Sequence, residues 1–189
     1  MEEIKFIDKT SLVHTESAPN RKIEFIVIHY TAEPSSLKGS AVGIAEYFAA
    51  TEREASSDFI VDDEDFVVYN KDIYNIKCWH CGGAKYDTLG GKYFGVCSNR
   101  NSVGIEVCSN NPAGHYTYPN DPAYYFTEKT VNNALKLTKY LMKLLDIDAD
   151  HVIRHYDVNG KICPGIIGWN IESGDESKWI EFKSKLTEN

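Results

Sequence analysis

The run Ile23-Glu24-Phe25-Ile26-Val27-Ile28 is apolar at every position but one and ends directly on His29. A half-exposed strand alternates apolar and polar residues, whereas a run apolar in both parities is a strand covered on both faces. Helices packed on the two sides of a sheet provide that cover, so this stretch points the chain toward an α/β architecture. Tyr30, Thr31 and Ala32 follow, and Pro34 closes the segment. His29 therefore stands where a buried strand opens into a loop, the end at which α/β folds keep their sites. Taken alone, such a histidine reads first as a satisfied core residue.

A second stretch, Arg154-His155-Tyr156-Asp157-Val158-Asn159-Gly160-Lys161-Ile162-Cys163-Pro164-Gly165, brings an imidazole, an ammonium and a thiol close together in sequence. The β-branched Val152 and Ile153 make the approach to His155 a short strand. Asn159-Gly160 and Pro164-Gly165 are turn signals, so Lys161 and Cys163 lie on a loop able to fold back toward His155. Zinc binds neutral imidazole and thiolate tetrahedrally, and a catalytic site uses three protein ligands. His155 and Cys163 supply two, and His29 is the candidate third. His151 lies four residues before His155; on a strand that spacing is about 13 Å, too far to share one ion. His151 is accordingly read as structural.

The remaining elements follow from pattern. Ser40 to Glu54 carries apolar residues at helical spacing, with Ser40 as a plausible N-cap. Asp58–Val61 and Phe66–Tyr69 read as a hairpin around the acidic turn Asp62-Asp63-Glu64-Asp65, taken as solvated because calcium-loop spacing is missing. Ile73 to Trp79 is a further short extended piece. Gly82 to Asn101 is a long loop without period, expected to wall a substrate groove. Ser102 to Val107 is a strand whose Gly104 marks a close approach by backbone or ligand. The tyrosines at 116, 118, 124 and 125 in the next loop are read as loop packing, with stacking on sugars as the alternative. Thr127 to Asp146 is the clearest helix, capped by Thr127 and striped by Val131, Ala134, Leu135, Thr138, Leu141, Met142 and Leu145. A last helix over Ser173 to Leu186 would dock through Trp179, Ile180 and Phe182.

Four motifs then occur in a telling order: Ile28-His29-Tyr30-Thr31-Ala32, Trp79-His80-Cys81-Gly82, Ser102-Val103-Gly104-Ile105-Glu106-Val107 and His155…Lys161-Ile162-Cys163-Pro164. From about Ile23 to about Trp169 the chain resembles the type-2 N-acetylmuramoyl-L-alanine amidases, relatives of the peptidoglycan-recognition proteins and of phage lysozymes with amidase activity. The resemblance implies an α/β domain with a mixed central sheet flanked by helices, and a zinc ion (Zn2+) held by His29, His155 and Cys163 with Lys161 beside it. Some relatives have Asp at the last ligand position; this chain has Cys163. Some relatives also supply a tyrosine where this chain has Ser57, which is no base near neutral pH. Glu106 matches the relatives that use a glutamate, and a carboxylate within a Val/Ile strand is costly to bury without reason. Glu106 is thus expected as the base and proton donor, with Lys161 stabilising the oxyanion. Thr31 and His80 are the candidate substrate contacts, His80 having the alternative role of holding its loop.

The expected activity is hydrolysis of the amide between the lactyl group of N-acetylmuramic acid and the L-alanine of peptidoglycan stem peptides. The alternative is a non-catalytic peptidoglycan-binding module, which would be expected to lose metal ligands, notably the cysteine. A Cys163–His155 thiol hydrolase leaves His29 and Lys161 unexplained. At 189 residues the chain reads as one domain behind a polar lead-in over 1–22. The net charge of −8 argues against nucleic acid and gives little attraction to a polyanionic wall, so adhesion would come from another module. No charged-then-apolar leader begins the sequence and no apolar run is long enough for a bilayer, so cytosolic synthesis, no membrane partner and a monomer acting on wall or muropeptides are expected. Five cysteines, an odd number, do not make a disulfide framework, and Cys78-Trp79-His80-Cys81 is read as buried thiols rather than a zinc ribbon.

Overall fold

The computed structural model describes residues 3–188. In chain order the strands are β1 (Phe6–Asp8), β2 (Thr15–Ser17), β3 (Phe25–Tyr30), β4 (Phe59–Val61), β5 (Phe66–Val68), β6 (Ile76–Cys78), β7 (Ser102–Val107) and β8 (Val152–Arg154). The helices are α1 (Ser40–Ala50) between β3 and β4, α2 (Glu128–Leu145) between β7 and β8, then α3 (His155–Asn159) and α4 (Ser177–Thr187). Every residue of β3 is buried, as a strand apolar in both parities requires. The main sheet runs β1-β5-β4-β7-β3-β8, while β2 and β6 form a separate antiparallel pair. β4, β7, β3 and β8 are mutually parallel, and β5 returns antiparallel from β4 as the expected hairpin. The parallel strands therefore present their carboxyl ends together. β8 is an edge strand, not a central one, so His155 leaves the sheet at its border.

The two faces of the sheet divide the core. One packs Ile26, Ile28, Val103 and Ile105 against Leu137 and Leu141 of α2 and Trp179 and Phe182 of α4. The other packs Ile60 and Val67 against Ala41, Ala45 and Phe48 of α1, and Phe25, Val27 and Ile153 against Cys81, just ahead of the long loop, and Cys97 within it. Residues at parity with His29 lie on this second face. Covering it with a helix at one end and a loop at the other leaves space between them over the strand ends.

Several local expectations need correcting. β1 and β2 fall inside the stretch read as a polar lead-in; three residues have no period of their own, and β1 exists because Phe6, Ile7 and Asp8 pair with β5 while Phe6 packs on Phe59 and Tyr140. Ser40 is the first residue of α1 and not its cap, since Gly39 holds the cap position at φ 90 with no side-chain bond of its own. The cap comes from the acidic turn: Asp62 Oδ2 accepts from Ala41 N–H at 3.0 Å and Asp65 Oδ2 from Gly39 N–H at 3.0 Å. That turn is not simply solvated. Asp62 is fully buried, and Asp63 Oδ1 accepts from the Thr127 and Thr130 hydroxyls at the start of α2, each at 2.5 Å. At α1 the carboxylates satisfy orphan backbone donors, and at both N-termini their charge suits the helix dipole.

α2 forms as its stripe requires, with Thr127 Oγ1 accepting from Thr130 N–H. α4 begins at Ser177, four residues later than expected, with Ser173 in a preceding 3-10 turn. Trp179 and Phe182 dock it, but Ile180 is 65% exposed. Trp179 and Phe182 are three apart and share a helix face, which Ile180 does not.

Candidate metal centre

His29 is the fifth residue of β3, and β7 places Glu106 directly beside it in register. β8 ends at Arg154, and His155 is the first residue of α3. The turn is fixed by Asp157, whose carboxylate accepts from Arg154 N–H at 2.8 Å and from the Arg154 guanidinium at 2.9 and 2.7 Å. This switches the chain from strand to helix at His155. Gly160, in the left-handed region at φ 86, ends the helix. The chain then doubles back until Tyr156 N–H donates to Cys163 O at 3.0 Å, which sets Cys163 against His155.

The last carbonyls of α3 are left short of helical partners, as at any helix end, only Tyr156 O accepting from the capping Gly160 N–H at 2.9 Å. The long loop supplies the donors: Tyr86 N–H to Asn159 O, Gly91 N–H to Tyr156 O and Tyr93 N–H to Asp157 O, at 2.8 to 2.9 Å. Thr88 Oγ donates to Gly160 O at 2.8 Å. The loop is thereby tied to the element that carries His155 and leads into Lys161.

At the centre, His29 Nδ1 is 3.1 Å from His155 Nδ1 and 3.7 Å from Cys163 Sγ. One donor atom from each of these three buried residues lies within 4.8 Å of the others, and no other such group occurs among the described residues. Two imidazoles meeting by their nitrogens beside a thiol, with no carboxylate bonded to any of them, fit a divalent ion that takes nitrogen and sulfur ligands. Burial holds both histidines well below the usual imidazole range, in the neutral form that ligation needs. Burial pushes the Cys163 thiol up to about 12, against the charge of Lys161. A thiol so raised is the opposite of an activated nucleophile, whereas a bound cation deprotonates its thiol ligand outright.

Glu106 is pushed up to about 8 by burial, again opposed by Lys161. His29, Glu106, Lys161 and Cys163 all line one cavity of about 610 Å3, walled by Tyr86 and Thr88 of the long loop. Thr31 and His80 line it as well. The Thr31 hydroxyl accepts from Ser109 N–H at 3.2 Å and Glu33 N–H at 3.3 Å, so it also shapes the rim. His80 is buried, with Nδ1 3.1 Å from His29 Nε2 and Nε2 3.1 Å from Ser102 Oγ. Burial lowers it to about 4. Gly104 shows why it is glycine: a Cβ there would stand 2.6 Å from Ser57 Oγ and 2.8 Å from His80 Cγ.

Sequence reasoning missed Arg53, Tyr47 and Glu33, which also line the cavity from connections lacking any motif. The tyrosines divide: Tyr124 is buried against Tyr30, whereas Tyr116 is 52% exposed and faces the cavity. His151 stays apart, bonded to Asp148 at 2.7 Å, and all five cysteines are free and buried.

The family model for N-acetylmuramoyl-L-alanine amidase matches residues 19–166. The N-acetylmuramoyl-L-alanine amidase CwlA of Bacillus subtilis (strain 168) is 30% identical over 165 residues, covering 87% of this chain and 49% of that protein. CwlH of the same strain, also an N-acetylmuramoyl-L-alanine amidase, is 30% identical over 141 residues, 74% of this chain and 46% of that protein. The chain thus spans about half the length of the curated relatives it matches. Among solved structures, a mutant endolysin from Bacillus subtilis is 27% identical with a TM-score of 0.64, covering 97% of this chain and 99% of that one. The catalytic domain of XlyA has the same fold, with a TM-score of 0.67 at 24% identity over 97% of this chain and 99% of that one. With the match running from ahead of β3 to beyond Cys163, the chain belongs to the type-2 N-acetylmuramoyl-L-alanine amidase family.

Proposed function

We propose that this chain is a zinc-dependent hydrolase that cleaves the amide bond between the lactyl group of N-acetylmuramic acid and the L-alanine of a peptidoglycan stem peptide. The observation that carries the reading is the convergence of His29, His155 and Cys163, with His29, Cys163 and Glu106 lining one cavity. His29, His155 and Cys163 hold the ion. When bound, zinc supplies Lewis acidity that brings the pKa of water toward neutrality and polarises an amide carbonyl. Glu106 takes a proton from the attacking water and delivers it to the departing amine of alanine. Its apolar setting and raised pKa suit a carboxyl that has to both accept and return a proton near neutral pH. Lys161 places a fixed positive charge at the same cavity, where negative charge develops on the carbonyl oxygen. Thr31 and His80 shape the floor and rim on which the substrate rests.

The same reading treats the chain as one catalytic unit acting on bacterial wall or muropeptides as a monomer, without nucleic acid or membrane as partner. No helix among the described residues is long and apolar enough to cross a membrane. A purely binding module has no use for an intact ligand set with a poised carboxyl beside it. Digestion of sacculi and soluble muropeptides by the metal-replete chain, with mass analysis of products, tests the activity. Release of free stem peptides bearing N-terminal L-alanine is expected. Unchanged substrate, or cleavage at a glycosidic or peptide–peptide bond, would overturn it.

A further inference from the structure

The hydrogen bonds behind His29 allow one assignment of protons, and it can be read from its far end. A backbone carbonyl only accepts, and Ser102 Oγ stands 2.6 Å from Ser98 O, so the Ser102 hydroxyl proton is committed there. His80 Nε2 is 3.1 Å from that same Ser102 oxygen, which is left to accept, so Nε2 carries the His80 proton. Cys81 Sγ is a more distant neighbour of Nε2, at 4.0 Å. Burial disfavours an imidazolium, and a neutral imidazole has one N–H. His80 Nδ1 is therefore a lone pair, and it faces His29 Nε2 at 3.1 Å. His29 must donate from Nε2, and its own Nδ1 is then unprotonated. That Nδ1 is the atom 3.1 Å from His155 Nδ1 and 3.7 Å from Cys163 Sγ.

We propose that His80 is a positioning residue: the chain of hydrogen bonds from Ser98 through Ser102 and His80 sets His29 in the Nε2–H tautomer and aims its Nδ1 lone pair at the metal position. The seat of the His80 ring is built for this. Its backbone N–H and that of Cys81 both donate to Asn99 Oδ1, at 3.1 and 2.8 Å. The bare Cα of Gly104 makes room for the ring, since a Cβ there would come within 2.9 Å of Nδ1. The two rings meet edge-on, with centroids 5.2 Å apart and planes at 86°. His155 has no such support, as its Nε2 is buried with no hydrogen-bond partner. His29 is thus the ligand whose orientation and tautomer the protein fixes, and partners of this kind typically change metal affinity when removed.

This inference rests on the reading of His29 as a metal ligand, and two measurements separate them. The first is zinc affinity of the purified chain by competition with a chromophoric chelator. The second is nitrogen-15 NMR of the histidines in the metal-free protein. Metal-free wild type should show His29 protonated on Nε2. His80→Ala should weaken zinc binding by about 10–100-fold, and His80→Asn, whose amide oxygen offers an acceptor near the Nδ1 position, should restore affinity to near the wild-type value. A wild type without zinc affinity, or a His29→Ala variant that binds zinc like wild type, overturns the ligand reading itself. Zinc affinity lost in His29→Ala but fully kept in His80→Ala overturns the positioning role alone, as does His29 protonated on Nδ1. Should His80→Ala fail to fold, the wild-type tautomer still decides.

Discussion

Glu106 sits where a carboxylate contributes nothing evident to the fold: Oε2 is buried and has no hydrogen-bond partner. A structural ion pair would have satisfied that oxygen, which supports the proposed role of Glu106 as the base. Glu106→Gln is nearly isosteric and removes the proton transfer alone. It should keep zinc and fold while lowering turnover by ~100-fold or more, the usual scale for a general base; wild-type turnover with zinc bound would assign the base elsewhere. The same residue gives a pH signature in the chelated protein. Its folded pKa of about 8 lies above its ordinary value of 4.5. A raised folded pKa stabilises the fold below the ordinary value, and that contribution is lost as pH rises through the folded one. Chelated wild type should therefore lose stability relative to Glu106→Gln between about pH 4.5 and pH 8, with a constant gap above that range. Denaturant curves of the two proteins that stay parallel across the window would mean that the carboxyl is well solvated.

Sequence pattern sufficed for elements that carry their own signal. β3 reads from its apolar run, and α2 from its stripe and the Thr127 cap. Elements made by partners were not legible. β1 has three residues and forms by pairing with β5, and α3 has five and is held by Asp157 at one end and by loop donors at the other. The grouping of His29, His155 and Cys163 was legible through the order of motifs, since nothing local says that His29 meets His155, 126 residues away, by its Nδ1. Gly104 lies between these cases. A glycine within a strand signals a close approach without naming the visitor, and here it is the His80 ring. Gly104→Ala should therefore act at two levels. Forcing a methyl against Ser57 Oγ and His80 should cost about 1–3 kcal/mol of stability, the usual scale of overpacking. Displacing His80 should also weaken zinc binding, whereas a comparable methyl added on the α2 face of the sheet should cost stability alone. Zinc titrations of Gly104→Ala and of Val103→Ile, whose side chain packs on that opposite face, make the comparison.

At the scale of the whole molecule, the three proposed ligands come from β3, the first residue of α3 and the loop beyond it, and α3 in turn carries the long loop on its carbonyls. An ion held by these three residues would tie an inner strand of the sheet to its border strand and to the wall of the cavity. An ion that binds only the folded chain stabilises it by mass action, about 2.7 kcal/mol when free metal is a hundredfold above Kd. For a chain of this size each kcal/mol moves the melting temperature by about 2–4 °C, so chelation should lower it by roughly 5–10 °C. The loss should concentrate where the ion acts. Amides of α3 and of residues 82–101 should exchange faster after chelation, while those of α2, which packs on the far face against α4, should change least. Cys163→Ala removes the thiolate without disturbing β3, and it should abolish most of both the zinc binding and the chelator-induced shift. Calorimetry and hydrogen exchange on wild type and Cys163→Ala, each with and without chelator, test this together. If Cys163→Ala retains a full chelator-induced shift, the stabilising ion is bound somewhere other than between β3 and α3.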